Sequence, residues 1–421
     1  DESGSAAKAQ VFDAGGAAVG NEILVNTATE STQWRPEILS LSNGGFVVTW
    51  RDFSQGDGGA TGDISGNAIK AQVFNAVGDP VGEEILVNTA TVGSHFDQRF
   101  TALSNGSFVV TWHEYSLGVG GATGDTSTAA VKAQVFNAVG TKVGNEILVN
   151  TATESYQFSP EITTLSNGGF VVTWEDASLG VGGATGDTSF IAIKAQVFNA
   201  DGMPVGDEIL VNTATLYDQE QPEIMALTDG GFVVTWLDES QGNGGASGDT
   251  SGYAIKAQVF GTDGTKVGPE LLVNTATESY QESPKNTSLP NGRFAVTWTD
   301  YSQGVGGAPG DTSGAAIKAQ VYGFEAVEQT DFVLKGVGMS VSDVDAYGGI
   351  ETITLAVDEG TLTAAVGDSG VTIVSGNGTG SLEISGTIAQ LNALLGIGGT
   401  STLVYFNDSD TPSPSTTLSL T

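Results

Sequence analysis

The chain has 421 residues, with 49 acidic and 14 basic side chains, a formal net charge of −35, 60 glycines and no cysteine. That balance argues against nucleic acid as a partner, because phosphate binding needs a basic footprint, and the lack of cysteine excludes disulfide frameworks and thiolate metal sites. No apolar run approaches the roughly 18 residues of a membrane span, and so acidic a chain needs bound cations or ambient salt to offset its self-repulsion.

Read from the N-terminus, the first signal is a lysine ladder. Lys8, Lys70, Lys132, Lys194, Lys256 and Lys318 each open Lys-Ala-Gln-Val-Phe, or Tyr in the sixth copy, at a spacing of 62 residues. Trp50, Trp112, Trp174, Trp236 and Trp298 close runs of Phe-Val-Val-Thr-Trp at the same spacing, with Ala295 the departure in the last. A fixed period without insertions marks a repeat architecture. It groups residues 1–323 into one array and leaves residues 324–421 as a second unit. Asp1 aligns with Asp63, so the array enters in mid-phase, as expected of a mature product or a fragment of something longer.

Within one repeat, Phe100 to Leu103 reads as a short strand, Asn105-Gly106 as a two-residue hairpin signal and Ser107 to Trp112 as a second strand. Ala130 to Phe136 and Glu146 to Asn150 supply a third and a fourth. The second strand is apolar on both faces, as for a strand between two layers, whereas the alternation in the third predicts one polar face. Four antiparallel strands without a helix fit a propeller blade. The expected fold is therefore all-β: a five-bladed β-propeller built from 62-residue four-stranded repeats, followed by a small β-sandwich. The ring closes if the last blade borrows the N-terminal fourth strand, leaving a third-type strand over, at residues 6–12 or 316–322. The rival is an open array cut from a longer chain.

After each Trp comes a Gly-rich loop that opens on an acid (Asp52, Glu114, Asp176, Asp238, Asp300) and closes on Asp63, Asp125, Asp187, Asp249 or Asp311. Carboxylates, hydroxyls and carbonyls freed by glycine are the ligands calcium takes, and these acids are calcium candidates. The alternative is a solvated acidic turn, in which Asp and Ser hydrogen-bond their own backbone. The tryptophans read as core, with the indole N–H on a carbonyl. Trp34, Phe53, Tyr115, Tyr156, Tyr217 and Tyr301 vary between copies and are the better candidates to contact a ligand. The ladder lysines read as partners of internal acids rather than anion binders.

In the second unit the period is lost, and Ile353 to Val357, Gly370 to Val374, Ser381 to Ile384 and Thr402 to Phe406 alternate as strands, with residues 387–395 helical. Asp343, Asp345, Asp408 and Asp410 sit near strand ends as further calcium candidates. The Ser-Val-Ser-Asp-Val-Asp-Ala run at 340–346, the Gly-Thr-Leu-Thr of 360–363, the Gly-Asn-Gly-Thr of 376–379 and the Ile-Ala-Gln-Leu-Asn-Ala-Leu-Leu segment resemble the cadherin-like modules of large bacterial RTX-type surface proteins. The 62-residue unit is similar to repeats of the same giant chains, although the nonapeptide calcium repeats of that class are absent. The resemblance implies an extracellular, type I secreted, calcium-dependent adhesin or surface-layer protein.

Catalysis is not expected. The two histidines, His95 and His113, fall in one repeat, no nucleophile elbow or phosphate loop is present, and repetition should give every acid the same surroundings, whereas glycosidase chemistry needs two unlike carboxylates. The expectation is a non-enzymatic, calcium-stabilised protein of adhesion or surface architecture. Its rivals are a subunit that self-associates through terminal strands and a lectin for a surface glycan or host matrix ligand.

Overall fold

In the computed structural model the described residues are 4–420, apart from 58–65, 120–127, 182–189, 244–251, 304–313, 324–330, 336–338, 342–347, 397–398, 410–417 and residues 229, 277, 291, 340 and 408. The array begins with β1 (Lys8–Phe12) and β2 (Ala18–Leu24), a two-stranded sheet. Four complete antiparallel sheets follow: β3 (Gln33–Ser40), β4 (Phe46–Asp52), β5 (Ala68–Phe74) and β6 (Pro80–Leu86); β7 (His95–Ala102), β8 (Phe108–Glu114), β9 (Ala130–Phe136) and β10 (Lys142–Leu148); β11 (Gln157–Thr164), β12 (Phe170–Asp176), β13 (Ala192–Phe198) and β14 (Pro204–Leu210); β15 (Gln219–Ala226), β16 (Phe232–Asp238), β17 (Ala254–Phe260) and β18 (Lys266–Leu272). A three-stranded sheet of β19 (Gln281–Ser288), β20 (Phe294–Asp300) and β21 (Ala316–Tyr322) ends it.

The repeated unit is thus an all-β, four-stranded sheet in a propeller-like arrangement, and the sheets stack face to face. Val47, Ala71 and Val73 of one sheet pack on Phe108, Val110, Trp112 and Phe136 of the next, and the same contact recurs at Phe170 and Trp174, at Phe232 and Trp236, and at Phe294 and Trp298. First strands of neighbouring sheets approach one another in series, β3 to β7, β7 to β11, β11 to β15 and β15 to β19. They form a continuous rim. Among the described residues closure by a borrowed strand is not made: β2 pairs with β1, and the last sheet ends at β21.

Two local expectations are refined. The third strand keeps its polar face, but in β5, β9 and β13 that face is interior, because these strands are buried throughout. Lys70 reaches Glu84 at 3.3 Å, and Gln72 donates to the carbonyls of Val73 and Val81, so each polar group keeps a partner inside. The hairpin is longer than two residues. It spans 103–107, with Leu103 N–H donating to Ser107 O at 2.8 Å and Asn105 Oδ1 accepting from Ser107 N–H at 2.9 Å.

A second turn joins the third strand to the fourth and abuts the preceding sheet. At Gly140 φ is +84°, and a Cβ built there would lie 2.4 Å from Ile85 Cδ1. Gly144 also has positive φ (+68°), but nothing lies within 4 Å of its Cβ position. Gly140→Ala is therefore expected to lower stability by about 1–3 kcal/mol through backbone strain and displacement of Ile85, and Gly144→Ala by the smaller strain part alone. Urea denaturation of the two variants checks the order.

Beyond the array, β22 (Phe332–Val333), β24 (Thr361–Ala365) and β27 (Thr402–Phe406) form one sheet, and β23 (Glu351–Val357), β25 (Thr372–Ser375), β26 (Ser381–Gly386) and β28 (Leu418–Leu420) another. They share a core that includes Leu355, Leu362, Leu382, Ile384 and Leu403. The helix α1 (Ile388–Leu395) adds Leu391, Leu394 and Leu395, whose spacing puts them on one face. Its start is fixed by a capping box: Thr387 Oγ1 accepts from Gln390 N–H at 3.3 Å, and Gln390 Oε1 accepts from Thr387 N–H at 2.9 Å. Among the described residues no helix is long and apolar enough to cross a membrane.

Candidate functional site

The five loop-opening acids do not face solvent. Asp52, Glu114, Asp176, Asp238 and Asp300 are buried, none more than 4% exposed. Asp52 accepts Ser54 N–H at 3.0 Å, the Ser54 hydroxyl at 2.8 Å and the Gln33 amide at 3.3 Å. Asp176, Asp238 and Asp300 repeat the arrangement with Ser178, Ser240 and Ser302. Glu114 accepts from Ser116 at 2.7 Å and from Trp112 Nε1 at 3.4 Å, with Lys132 at 3.6 Å and His95 at 3.5 Å. Burial works to raise the Glu114 carboxyl, but His95, Lys132 and Ser116 outweigh it and hold it below the usual range. Acid and hydroxyl two residues apart here build the turn itself. Asp63, Asp125, Asp187, Asp249, Asp311, Asp343, Asp345, Asp408 and Asp410 lie outside the described residues. Among those described, no group of three or more acids, histidines or cysteines is set to hold a metal ion.

The tryptophans are core, as the sequence predicts. Trp112 donates to Glu114 rather than to a carbonyl, and among the described residues the buried indole nitrogens of Trp174, Trp236 and Trp298 have no hydrogen-bond partner.

The chemistry gathers on the first-strand rim. In every copy a bulge interrupts the first two strands: Phe158 faces Glu175, and the next pair is Glu161 with Thr173. The skipped residue is left-handed although it is never glycine, with φ of 50° to 56° at Arg35, Asp97, Ser159, Gln221 and Ser283. Non-glycine residues held there cost about 1–3 kcal/mol and cluster at functional sites. One backbone frame thus presents five different cross-strand pairs: Trp34 with Arg51, Phe96 with His113, Phe158 with Glu175, Glu220 with Leu237 and Glu282 with Thr299.

Asp97 is clamped by Arg51 Nη2 at 2.8 Å and Arg35 Nη1 at 3.3 Å, and His113 Nδ1 stands 3.6 Å from its other oxygen. Arg51 Nε donates to Gln98 Oε1 at 3.1 Å, and its guanidinium lies 5.2 Å from the centre of the Phe96 ring. Phe96, His113 and Tyr115 pack as a trio with centroids 5.5–5.8 Å apart. On the next sheet Glu175 accepts the Gln221 N–H at 2.7 Å. Burial lifts its carboxyl to about 7 against that bond, with Glu220 and Asp97 adding to the rise. Further along, Arg99 bridges Glu161 at 2.7 Å and Glu37 at 3.6 Å, and Lys285 meets Glu223. Burial raises Glu161 to about 7 despite Arg99, helped by Glu223.

Of the aromatic candidates, Tyr115 joins this cluster and Trp34 stands on the same rim, 58% exposed. Phe53 is half-buried. Tyr156, Tyr217 and Tyr301 are exposed, and among the described residues they make no ring contact with the trio. Arg51, Asp97 and Glu175 escape a reading that follows the constant residues. The residue after each Trp is Arg51, His113, Glu175, Leu237 or Thr299, the most varied position beside the most constant one.

Burial lowers the His113 ring to about 4 from 6.5, opposed by Asp97 and assisted by Arg51 and His95. Between pH 6.5 and 4 the unfolded chain takes up a proton that the folded chain refuses, so this contribution is intact above 6.5 and is lost as pH falls through the window. His113→Gln is expected to flatten that acid loss. Urea unfolding at both ends of the window, compared with the unaltered chain, measures it. Glu175 and Glu161 titrate with the opposite sign, and the comparison cancels them.

No family model matches the chain, and no curated protein matches it. Among solved structures it is similar to the endo-arabinase from Bacteroides thetaiotaomicron, at 12% identity over 67% of this chain and 92% of that one, with a TM-score of 0.34. It is also similar to the Fusarium graminearum α-L-arabinofuranosidase Arb93A in complex with an iminosugar inhibitor, at 14% identity over 68% and 80%, with a TM-score of 0.40, and to a B. megaterium levansucrase mutant, at 8% identity over 74% and 85%, with a TM-score of 0.29. Likenesses of this size assign no substrate to this chain. These structures are enzymes, which runs against the expectation of a non-enzymatic adhesion or surface protein. The loop acids do share one arrangement, as repetition predicts, but Glu175 stands at a position that varies between copies and escapes that premise.

Proposed function

We propose that the chain is a carbohydrate-active hydrolase whose acid–base pair is Glu175 and Asp97. The observation that carries the reading is two carboxylates in unlike settings on one rim: Glu175 buried, accepting from the Gln221 N–H at 2.7 Å and from the Ser159 side chain, and Asp97 between two guanidinium groups. Such pairs divide the roles of acid and base, or acid and nucleophile, in glycoside hydrolysis. Glu175 gives its proton to the leaving oxygen as the glycosidic bond breaks. Asp97, held by Arg51 and Arg35, directs water or its own oxygen to the anomeric carbon. Phe96, Tyr115 and the exposed Trp34 supply apolar faces of the kind that stack on sugar rings.

We read the array as a five-bladed propeller and the last unit as a cadherin-like sandwich, on the repeat count and on the two sheets that share one core. The net charge of −35 supports calcium as a stabilising ion, tested by melting in EDTA against millimolar calcium. The catalytic reading is tested by incubating the purified chain with a panel of aryl glycosides and polysaccharides and measuring released chromophore and reducing ends. Turnover abolished by both Glu175→Gln and Asp97→Asn supports it. No turnover on any member of the panel, or turnover that both variants retain, overturns it.

A further inference from the structure

In each complete sheet the fourth strand finishes a buried polar site. Its glutamate meets the third-strand lysine: Lys70 with Glu84 at 3.3 Å, Lys132 with Glu146 at 3.7 Å, Lys194 with Glu208 at 3.5 Å and Lys256 with Glu270 at 3.6 Å. The same carboxylates accept the N–H of Thr27, Thr89, Thr151 and Thr213 from the preceding sheet at 2.7–2.8 Å. The asparagine that follows the strand accepts from the third strand, as in Ile69 N–H to Asn88 Oδ1 at 2.8 Å. Continued by one period, the series reaches Thr275 and Lys318. Among the described residues no fourth strand pairs with β21. A cavity of about 180 Å³ opens there instead, lined by Thr275, Trp298, Asp300, Lys318 and Gln320.

We propose that the open edge of β21 binds an extended segment of the fourth-strand type, supplied by residues 18–26 of a second copy of this chain, with Glu22 seated between Lys318 and Thr275. The fit is written in the sequence. Residues 19–26, Val-Gly-Asn-Glu-Ile-Leu-Val-Asn, are identical to residues 143–150, which fill the equivalent place beside β9. Opposite charge is already in position, since every complete sheet sets this glutamate against this lysine. In the β1–β2 sheet the same glutamate already meets its lysine, in a Lys8–Glu22 pair that is 54% and 61% exposed. Within the chain β2 pairs with β1 and not with β21, so the donor is a second copy. Strand addition to an open edge draws its affinity from main-chain hydrogen bonds and its selectivity from alternate side chains. By analogy with Lys8 opposite Leu24 in the β1–β2 pair, the register sets Leu24 opposite Lys318, Ile23 opposite Ala319 and Val19 opposite Val321.

The test uses the full chain and a fluorescent peptide of residues 18–28. Anisotropy titration is expected to show saturable binding, at least tenfold weaker for the peptide carrying Glu22→Lys. The Lys318→Glu chain should reverse that preference. Sedimentation of the full chain should show concentration-dependent dimers that excess peptide dissolves. Absence of saturable binding, or equal binding of the two peptides to the unaltered chain, overturns the site. Peptide binding by a chain that stays monomeric at every concentration overturns the second copy as its occupant.

Discussion

Glu175→Gln is expected to lower turnover by about 10² to 10⁴-fold, the usual worth of a positioned general acid, while leaving the melting temperature unchanged or higher. The amide keeps an oxygen for the Gln221 N–H and removes a carboxyl whose charge the site opposes. The pH profile carries the sharper signature. Because burial sets the group at about 7, the unaltered chain should lose activity as pH rises through 7 and the proton leaves. The glutamine variant should lack that alkaline limb. A profile with the same limb in both would assign the proton to another group. The sign for stability is separate: the folded chain holds this proton from the ordinary carboxylate value of 4.5 up to about 7, so charging Glu175 destabilises the fold as pH rises through that window.

The largest effect on stability is expected at the ladder. Lys132 is 1% exposed and lies 3.6 Å from Glu114 and 3.7 Å from Glu146, themselves 1% and 7% exposed. Lys132→Ala strands two buried carboxylates beside an ammonium-sized hole, at a cost of about 3–5 kcal/mol. Lys8→Ala makes the same change in a pair more than half exposed, and surface pairs contribute about 0–1 kcal/mol. Urea denaturation of both variants measures the gap. Equal losses would mean that the ladder acts through strand propensity rather than buried charge.

The strands were legible because the period is strict: β9 falls on Ala130 to Phe136, where the sequence puts it, and so does the helix after Thr387. The burial of Lys70 was not. Alternation along one strand reports a polar face, and only the register of β6, which brings Glu84 to Lys70, shows that the face is interior. The rim was hidden for a different reason. Arg51, His113 and Glu175 follow constant tryptophans, and a reading that searches for what repeats discards them as variation. Their meeting also depends on a bulge in the first strand that β-propensity cannot foresee, since Arg35, Asp97 and Ser159 are ordinary residues in the left-handed region.

The threonine donors have a further consequence. Thr27 serves Glu84, Thr89 serves Glu146 and Thr151 serves Glu208, always from the earlier sheet to the later one. Each lysine site is therefore completed by a donor from the sheet before it, so the array has a direction: a change at one of these threonines is felt at the glutamate of the following sheet.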